Sequence, residues 1–322
     1  AALDKRMLSV DVARGIAVVG MIFVNAAAYV HYALPAPMAR WMLHADWAGF
    51  LLADFVFPAF LFIVGVSIAL SLSGVKAGGD KAAATRHIVW RSVKLVLLGI
   101  FLSNVYDWYY GLDWAQLRWF GVLQRIGLVY CTAALIFLHV STRTMAIIAG
   151  GLLVGYTALL YVPLPDGTAA DLSQKGVDIA CWLDRAVLGT HAYYDGEAGY
   201  DPEGILSTIP GVAQALLGAL AGLWLKAAPR NTATALRLGG AGAGLILAGV
   251  LGSLVHPIIK DLWTLTFVLV SSGITLIILA LAFWWNDVRG QYDPISHFCR
   301  VFGTNAIATY TFHFVTSFLV VS

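Results

Sequence analysis

Charge is scarce in this 322-residue sequence: Asp, Glu, Lys and Arg make up 12% of it while 60% is apolar. An ordinary soluble domain carries about twice that charged share, so the composition excludes one and leaves a polytopic helical membrane protein. The basic residues, 20 against 18 acidic, are dispersed among loops instead of gathered on one stripe, which excludes a nucleic-acid face. Only three cysteines occur, Cys131, Cys181 and Cys299, in no CxxC or Cys/His spacing. Neither a disulfide framework nor a structural metal is expected. A Walker loop, HExxH and GxSxG are all missing. GGAGAGL, from Gly239 to Leu245, imitates a dinucleotide fingerprint. With no strand before it and an apolar run around it, close helix packing through small residues explains it better. There is no short repeat, and no inverted repeat of the transporter kind. A cleavable leader is also not expected: Asp11 and Arg14 interrupt the first apolar run and no small-residue cleavage site stands out.

What the sequence has is long apolar runs. Stretches able to span hydrocarbon fall at Val10 to Val30, Trp47 to Leu72, Ile88 to Val105, Trp119 to Val140, Thr144 to Val162, Ile205 to Leu225, Leu236 to Val255, Leu262 to Trp285 and Val301 to Ser322. At about 20 residues per crossing they predict an all-α bundle of about nine or more spans, one domain over 1–322, organised around the run that includes Asp54. The last run has no polar terminator, so the natural chain is expected to continue. Lys and Arg concentrate on one set of connections, among them Lys5, Arg6, Lys76, Arg86, Arg91, Lys94, Lys226 and Arg230. The positive-inside rule therefore places the N-terminus in the cytoplasm. The one long connection, 163–207, then lies outside. Its aromatic content and the apolar piece Val177 to Leu188 predict a folded lid with a short surface helix.

Polar groups at membrane depth are costly and stand out. Asp11 and Arg14, three apart, share a helix face as an ion pair or a ligand contact. Asn25 lies fourteen residues on, about 21 Å up the axis, level with His44. His44 reads in two ways: an amphipathic interface anchor, or an imidazole that takes a proton from an amine or accepts an acyl group. Depth counting from Trp47 and Trp119 sets Asp54 and Arg125 both roughly 10 Å deep and pairs them, with Asp54 a poor partner for His44. His313 carries a weaker functional signal, and His31, His191 and His256 read as structural.

Several blocks then carry a resemblance. SVDVARGIAVVGMIFVN (Ser9 to Asn25), LHADWAGFLLADFVFPAFLFIVGVSIALSL (Leu43 to Leu72), FGVLQRIGLVY (Phe120 to Tyr130), YDPEGILSTIPGVAQALLGALAG (Tyr200 to Gly222), KDLWTLTFVLVSSG (Lys260 to Gly273) and GTNAIATYTFHF (Gly303 to Phe314) resemble the heparan-α-glucosaminide N-acetyltransferase family, with bacterial glucosamine N-acetyltransferase members nearer. The resemblance implies a transmembrane acyltransferase of the bacterial inner membrane. It would take acetyl from cytoplasmic acetyl-CoA and deliver it to an amino sugar outside. It puts the catalytic histidine on His44 and the catalytic asparagine on Asn25. The family's ADxVFP falls on Ala53 to Pro58, its LQR on Leu123 to Arg125 through Gln124, and its DPEG on Asp201 to Gly204. A charged CoA cannot cross the bilayer, so Arg14, Arg86, Arg91 and Lys94 are candidate contacts for its phosphates, with a continuous tunnel from them to His44. The competing class is a secondary transporter of a small polar or sugar substrate, for which intramembrane Asp, Arg and His are equally expected. A homodimer is the base-rate expectation for assembly.

Overall fold

The structure, a computed structural model, describes residues 7–30, 40–111, 113–194 and 199–321. Lys5, Arg6 and His31 lie outside these. Twelve α-helices are bounded among the described residues, and no strand. They are α1 (Leu8–Val30), α2 (Leu52–Gly78), α3 (Lys81–Ser103), α4 (Val105–Tyr110), α5 (Val122–His139), α6 (Thr142–Leu159), α7 (Ile179–Leu188), α8 (Thr208–Ala227), α9 (Thr232–Gly252), α10 (Leu265–Ala282), α11 (Pro294–Thr304) and α12 (Ala306–Val321). Polar caps start several of them where the sequence supplies a short acceptor. Asp80 accepts from Ala83 N at 2.9 Å, Ser141 from Thr144 N at 3.1 Å and Asn231 from Thr234 N at 2.9 Å. Such caps satisfy amides that a helix start leaves bare, and the short connections they sit in turn the chain back antiparallel.

Among the described residues seven helices, not nine, are long and apolar enough to cross a bilayer. The run Ile88 to Val105 falls mainly on α3, which begins at Lys81, ends at Ser103 and carries Arg86, Arg91 and Lys94, too much charge to count as a span. Val301 to Ser322 is broken between Thr304 and Ala306 into α11 and a 16-residue α12. Counting apolar residues in a row had joined loops and helix ends to the helices themselves.

At the centre stands α2, buried almost continuously from Ala53 to Ala69 against α1, α5 and α8. Lipid gives helices no hydrophobic reason to associate, so close contact between small residues has to do it. A Cβ on Gly65 would stand 1.8 Å from the Ala215 carbonyl, and one on Gly218 would stand 2.0 Å from that of Phe62. The glycine run at Gly239 to Leu245 is the same device: Gly242 of α9 faces Gly273 of α10, a Cβ there falling 2.6 Å from the Gly273 carbonyl. In contrast, α6 and α9 expose Ile147, Val154, Leu247 and Leu251, as helices facing lipid do.

The bundle has two unlike ends. The basic end is where α1 starts and α2 and α8 finish, near Lys76, Lys81, Lys226 and Arg230. The loop end carries the segment after α6, in which the expected short helix forms as α7. Asp178 caps it by accepting from Ala180 N and Cys181 N at 2.9 and 3.0 Å, and Gly189, with φ of +54°, ends it. Residues 195–198 of this segment lie outside the described ones.

Candidate active site

At the loop end, the chain ahead of α2 does not continue the helix back to Trp47; it folds over the helix start. Trp47 anchors it: the ring is buried, its Nε1 donates to Leu172 O at 2.8 Å, and it packs edge-on to Tyr200. Gly49, at φ +133°, donates from its amide to Ile258 O at 2.8 Å. The strand-like turn that results brings His44 back onto the first turn of α2. There Asp54 receives it: His44 Nδ1 lies 2.7 Å from Asp54 Oδ1, while Oδ2 accepts from Leu51 N at 2.8 Å and Ala45 N at 3.2 Å. Asp54 is fully buried and the imidazole is half exposed. A carboxylate on Nδ1 fixes the proton there and leaves Nε2 as the free, outward lone pair.

This corrects two sequence expectations. Asp54 is the partner of His44 after all, because the intervening residues reverse direction rather than extending ten residues along one helix. It is not paired with Arg125. The Arg125 guanidinium donates to Gly204 O at 3.3 Å and to Ser207 Oγ, and stacks on the Trp263 ring at 4.9 Å. Depth counted from Trp47 and Trp119 failed because both helices start later, at Leu52 and Val122. Gln124 beside it is buried between α3 and α5, its Nε2 donating to Ser103 Oγ at 3.3 Å.

Asn25 can be placed by register. Arg14 Nη2 donates to Ser67 Oγ at 3.0 Å, and a Cβ on Gly20 would touch Val56 at 3.4 Å. Carried one turn further along antiparallel helices, that pairing sets Asn25 opposite the first turn of α2, at the height of Asp54.

An ion cluster that sequence reading did not assemble lies at the same end. Arg118 grips Asp201 with two bonds of 3.1 and 2.7 Å and Glu203 with one of 2.6 Å, its guanidinium 4.5 Å from the Tyr193 ring. Lys260 meets Asp261 at 3.3 Å, and Tyr200 donates to Asp261 at 3.0 Å. Burial raises the Glu203 carboxyl, but Arg118, Lys260 and Arg125 outweigh it and hold it below its ordinary range. Burial likewise opposes the charges of Arg118 and Lys260, yet the neighbouring carboxylates keep both above their usual values. Asp184 goes the other way: burial pushes it up to about 6 although the amides of Ile205 and Asp201 donate to it. Beyond the DPEG block, the available signal was two lone cations, Arg118 and Lys260, beside apolar runs on the charge-poor side.

The basic end holds a cavity of about 1050 Å³. Arg14, Arg91, Lys226 and Arg230 line it together with Asp11. Arg14 donates to Gly303 O at 3.1 Å and sits 3.6 Å from Asp11; Arg91 lies 5.0 Å over the Tyr130 ring. Of the four cations expected at such a mouth, Arg14 and Arg91 are in the lining and Arg86 and Lys94 are not. Arg86 belongs to a separate depression with Ala83, His87, Val89 and Trp90, and Lys94 rests over Trp90 at 5.6 Å. Lys226 and Arg230 take their place from the end of α8. Towards the loop end the lining reaches Met21, Phe60, Leu123 and Tyr310; Asn25, one turn beyond Met21, and His44 are not among the lining residues. His313 is half-buried on α12 and outside the lining, and His191 stacks on Trp119 at 4.0 Å while its Nδ1 meets Leu117 O at 2.7 Å.

Residues 6–170 match the family described as heparan-alpha-glucosaminide N-acetyltransferase, catalytic. Over a 365-residue alignment the chain is 31% identical to the human protein named heparan-alpha-glucosaminide N-acetyltransferase, covering 97% of this chain and 53% of the relative. The mouse protein of the same name is 29% identical over 358 residues, with 96% and 53% covered. The chain thus spans about half the length of these curated relatives.

Proposed function

The chain belongs to the heparan-α-glucosaminide N-acetyltransferase family, and we propose that it is a transmembrane acetyltransferase that moves acetyl from acetyl-CoA, bound at the basic end, to the amine of a glucosamine-type sugar at the loop end. In this reading the N-terminus is cytoplasmic and the membrane is a bacterial inner membrane. The cavity suits the donor: its volume is that of a large ligand site, and four cations line the charged part. Arg14 is braced by Ser67, Gly303 and Asp11, while Lys226 and Arg230 offer further charge to the phosphates. Acetyl-CoA supplies the activated thioester, and the residues of the chain do the rest.

His44 carries the reading. With Nδ1 held by Asp54, its Nε2 is oriented with its lone pair free, able to take the proton of the sugar amine or to accept the acetyl group itself. Asn25, at the height of Asp54, donates to the carbonyl oxygen as negative charge develops there. Asp54 is the positioning residue for both tautomer and angle. Arg125 and Gln124 hold the start of α5, and with it the Asp201–Glu203 segment, in place.

The test is acetyl transfer from labelled acetyl-CoA to glucosamine by the purified protein in vesicles, with sugar movement counted in parallel. Acetylated sugar without net transport is expected, and His44→Ala should abolish it while acetyl-CoA binding persists. Turnover in His44→Ala would remove the imidazole from the mechanism; transport without acetylation would favour a secondary transporter.

A further inference from the structure

Above its charged rim the cavity wall is apolar, made by Met21, Phe60, Leu123, Ile126 and Ile307. Tyr310 on α12 interrupts it. The residue is only 6% exposed, its ring tilted on Phe314 at 5.3 Å, and its hydroxyl has no hydrogen-bond partner among the described residues. Buried tyrosines usually find such a partner, because the alternative is a stripped donor in apolar surroundings. Unlike Arg125 and Gln124, whose Nε and Oε1 are shut away from solvent, Tyr310 lines the cavity.

Tyr310 also marks the border with the loop end. It lies within electrostatic reach of Glu203 and Arg118. Glu203 in turn acts on Lys260, and so does Asp54, the carboxylate that holds His44. One phenol therefore lines the inner cavity and lies within electrostatic reach of the polar cluster at the loop end. With the phosphates of a CoA thioester on the charged rim, its acyl end, the part that differs from CoA itself, would extend towards that border.

We propose that the Tyr310 hydroxyl donates a hydrogen bond to the carbonyl oxygen of the acyl thioester at the top of the cavity, and is a catalytic residue of the transfer. The inference rests on the acetyl-transfer reading. In the transfer the attacking nitrogen bonds to the carbonyl carbon and the C–S bond breaks. The electron pair leaves on sulfur as a thiolate, and an amine's proton passes to the base. Between those events the carbonyl oxygen bears negative charge, and an O–H aimed at it binds that state more tightly than the ground state.

Tyr310→Phe keeps the ring and removes only the donor. In the reconstituted protein kcat should fall roughly 100-fold, the cost of losing one oxyanion donor. By titration calorimetry, CoA should bind within about twofold of wild type, whereas the preference for acetyl-CoA over CoA should shrink, since CoA has no carbonyl. Retained CoA binding also reports a folded variant. Independently of any variant, the infrared stretch of carbonyl-labelled acetyl-CoA should shift to lower frequency on binding to the wild-type protein. A wild-type kcat in Tyr310→Phe, an unchanged acetyl-CoA to CoA preference, or an unshifted carbonyl would overturn the proposal. Failure of the wild-type protein to bind either thioester or CoA would overturn the transfer reading itself, and this inference with it.

Discussion

Asp54→Asn isolates the interaction on which the loop-end site turns. The substitution preserves volume in a fully buried position, so it opens no cavity. It removes the charge from three bonds: to His44 Nδ1 at 2.7 Å, Leu51 N at 2.8 Å and Ala45 N at 3.2 Å. A hydrogen bond to a charged group contributes about 1.5–3 kcal/mol against about 1 for a neutral one, so the His44 bond alone weakens by about 0.5–2 kcal/mol. The two backbone bonds resemble a helix cap, worth about 1 kcal/mol when lost outright and less when an amide oxygen remains. At 1.4 kcal/mol per tenfold, kcat should drop roughly 10- to 100-fold once imbalance in the imidazole tautomer is included. KM for acetyl-CoA should stay within about twofold, because neither residue lines the basic-end cavity proposed for the donor. Steady-state acetylation of glucosamine at saturating sugar reads both. A wild-type kcat would refute the role given to Asp54, and so would a raised KM with kcat preserved. Coupling gives a second check: Asp54 and Arg125 have separate partners, so Asp54→Asn and Arg125→Met should change stability additively within about 0.5 kcal/mol.

Lys226→Gln with Arg230→Gln should raise KM for acetyl-CoA roughly tenfold or more with kcat little changed, as expected when phosphate contacts are equal in ground and transition states; an unchanged KM would remove them from the donor site. Asp184 contributes a pH dependence of definite sign. Its folded pKa, about 6, exceeds the ordinary 3.8, so its stabilising effect is complete below about pH 4 and lost as pH rises through about 6. Glu203, depressed by its cations, works oppositely, its contribution vanishing on acidification. Melting followed by intrinsic fluorescence should lose the component between pH 4 and 6 in Asp184→Asn, and its persistence there would exclude Asp184 as its source. Gly65→Ala should cut folded yield severely, since its Cβ meets a backbone oxygen on α8 that only separation of the helices can relieve; normal yield would contradict the close packing at this seam.

Much of this was legible in the chain. Apolar runs fixed an all-α membrane bundle, and Val177 to Leu188 foretold α7, because hydropathy and short-range capping are local properties. What failed was depth. Trp47 to Leu51 is as apolar as any helix, yet Gly49 and the Trp47 anchor turn it back, and that turn decides that Asp54 holds His44 instead of meeting Arg125. Arg125 found its partners in Gly204 and Ser207, 79 and 82 residues away, across a loop whose folding no periodicity announces. On α3 the composition alone could not tell Arg91, which lines the cavity, from Arg86 and Lys94, which do not. Lys226 and Arg230 were visible only as counts in a charge tally; their convergence with Arg14 depends on α8 running beside α2, which the glycines at 65 and 218 permit.

In the proposed reaction an acetyl group loaded at one end of the bundle reaches an amine at the other. Oriented vesicles holding acetyl-CoA on the basic-end side, with membrane-impermeant amino sugar only on the loop-end side, test it directly. Acetylated sugar should form on the side that never contained CoA, and none should form with His44→Ala. Product forming only when donor and acceptor share a compartment would contradict it.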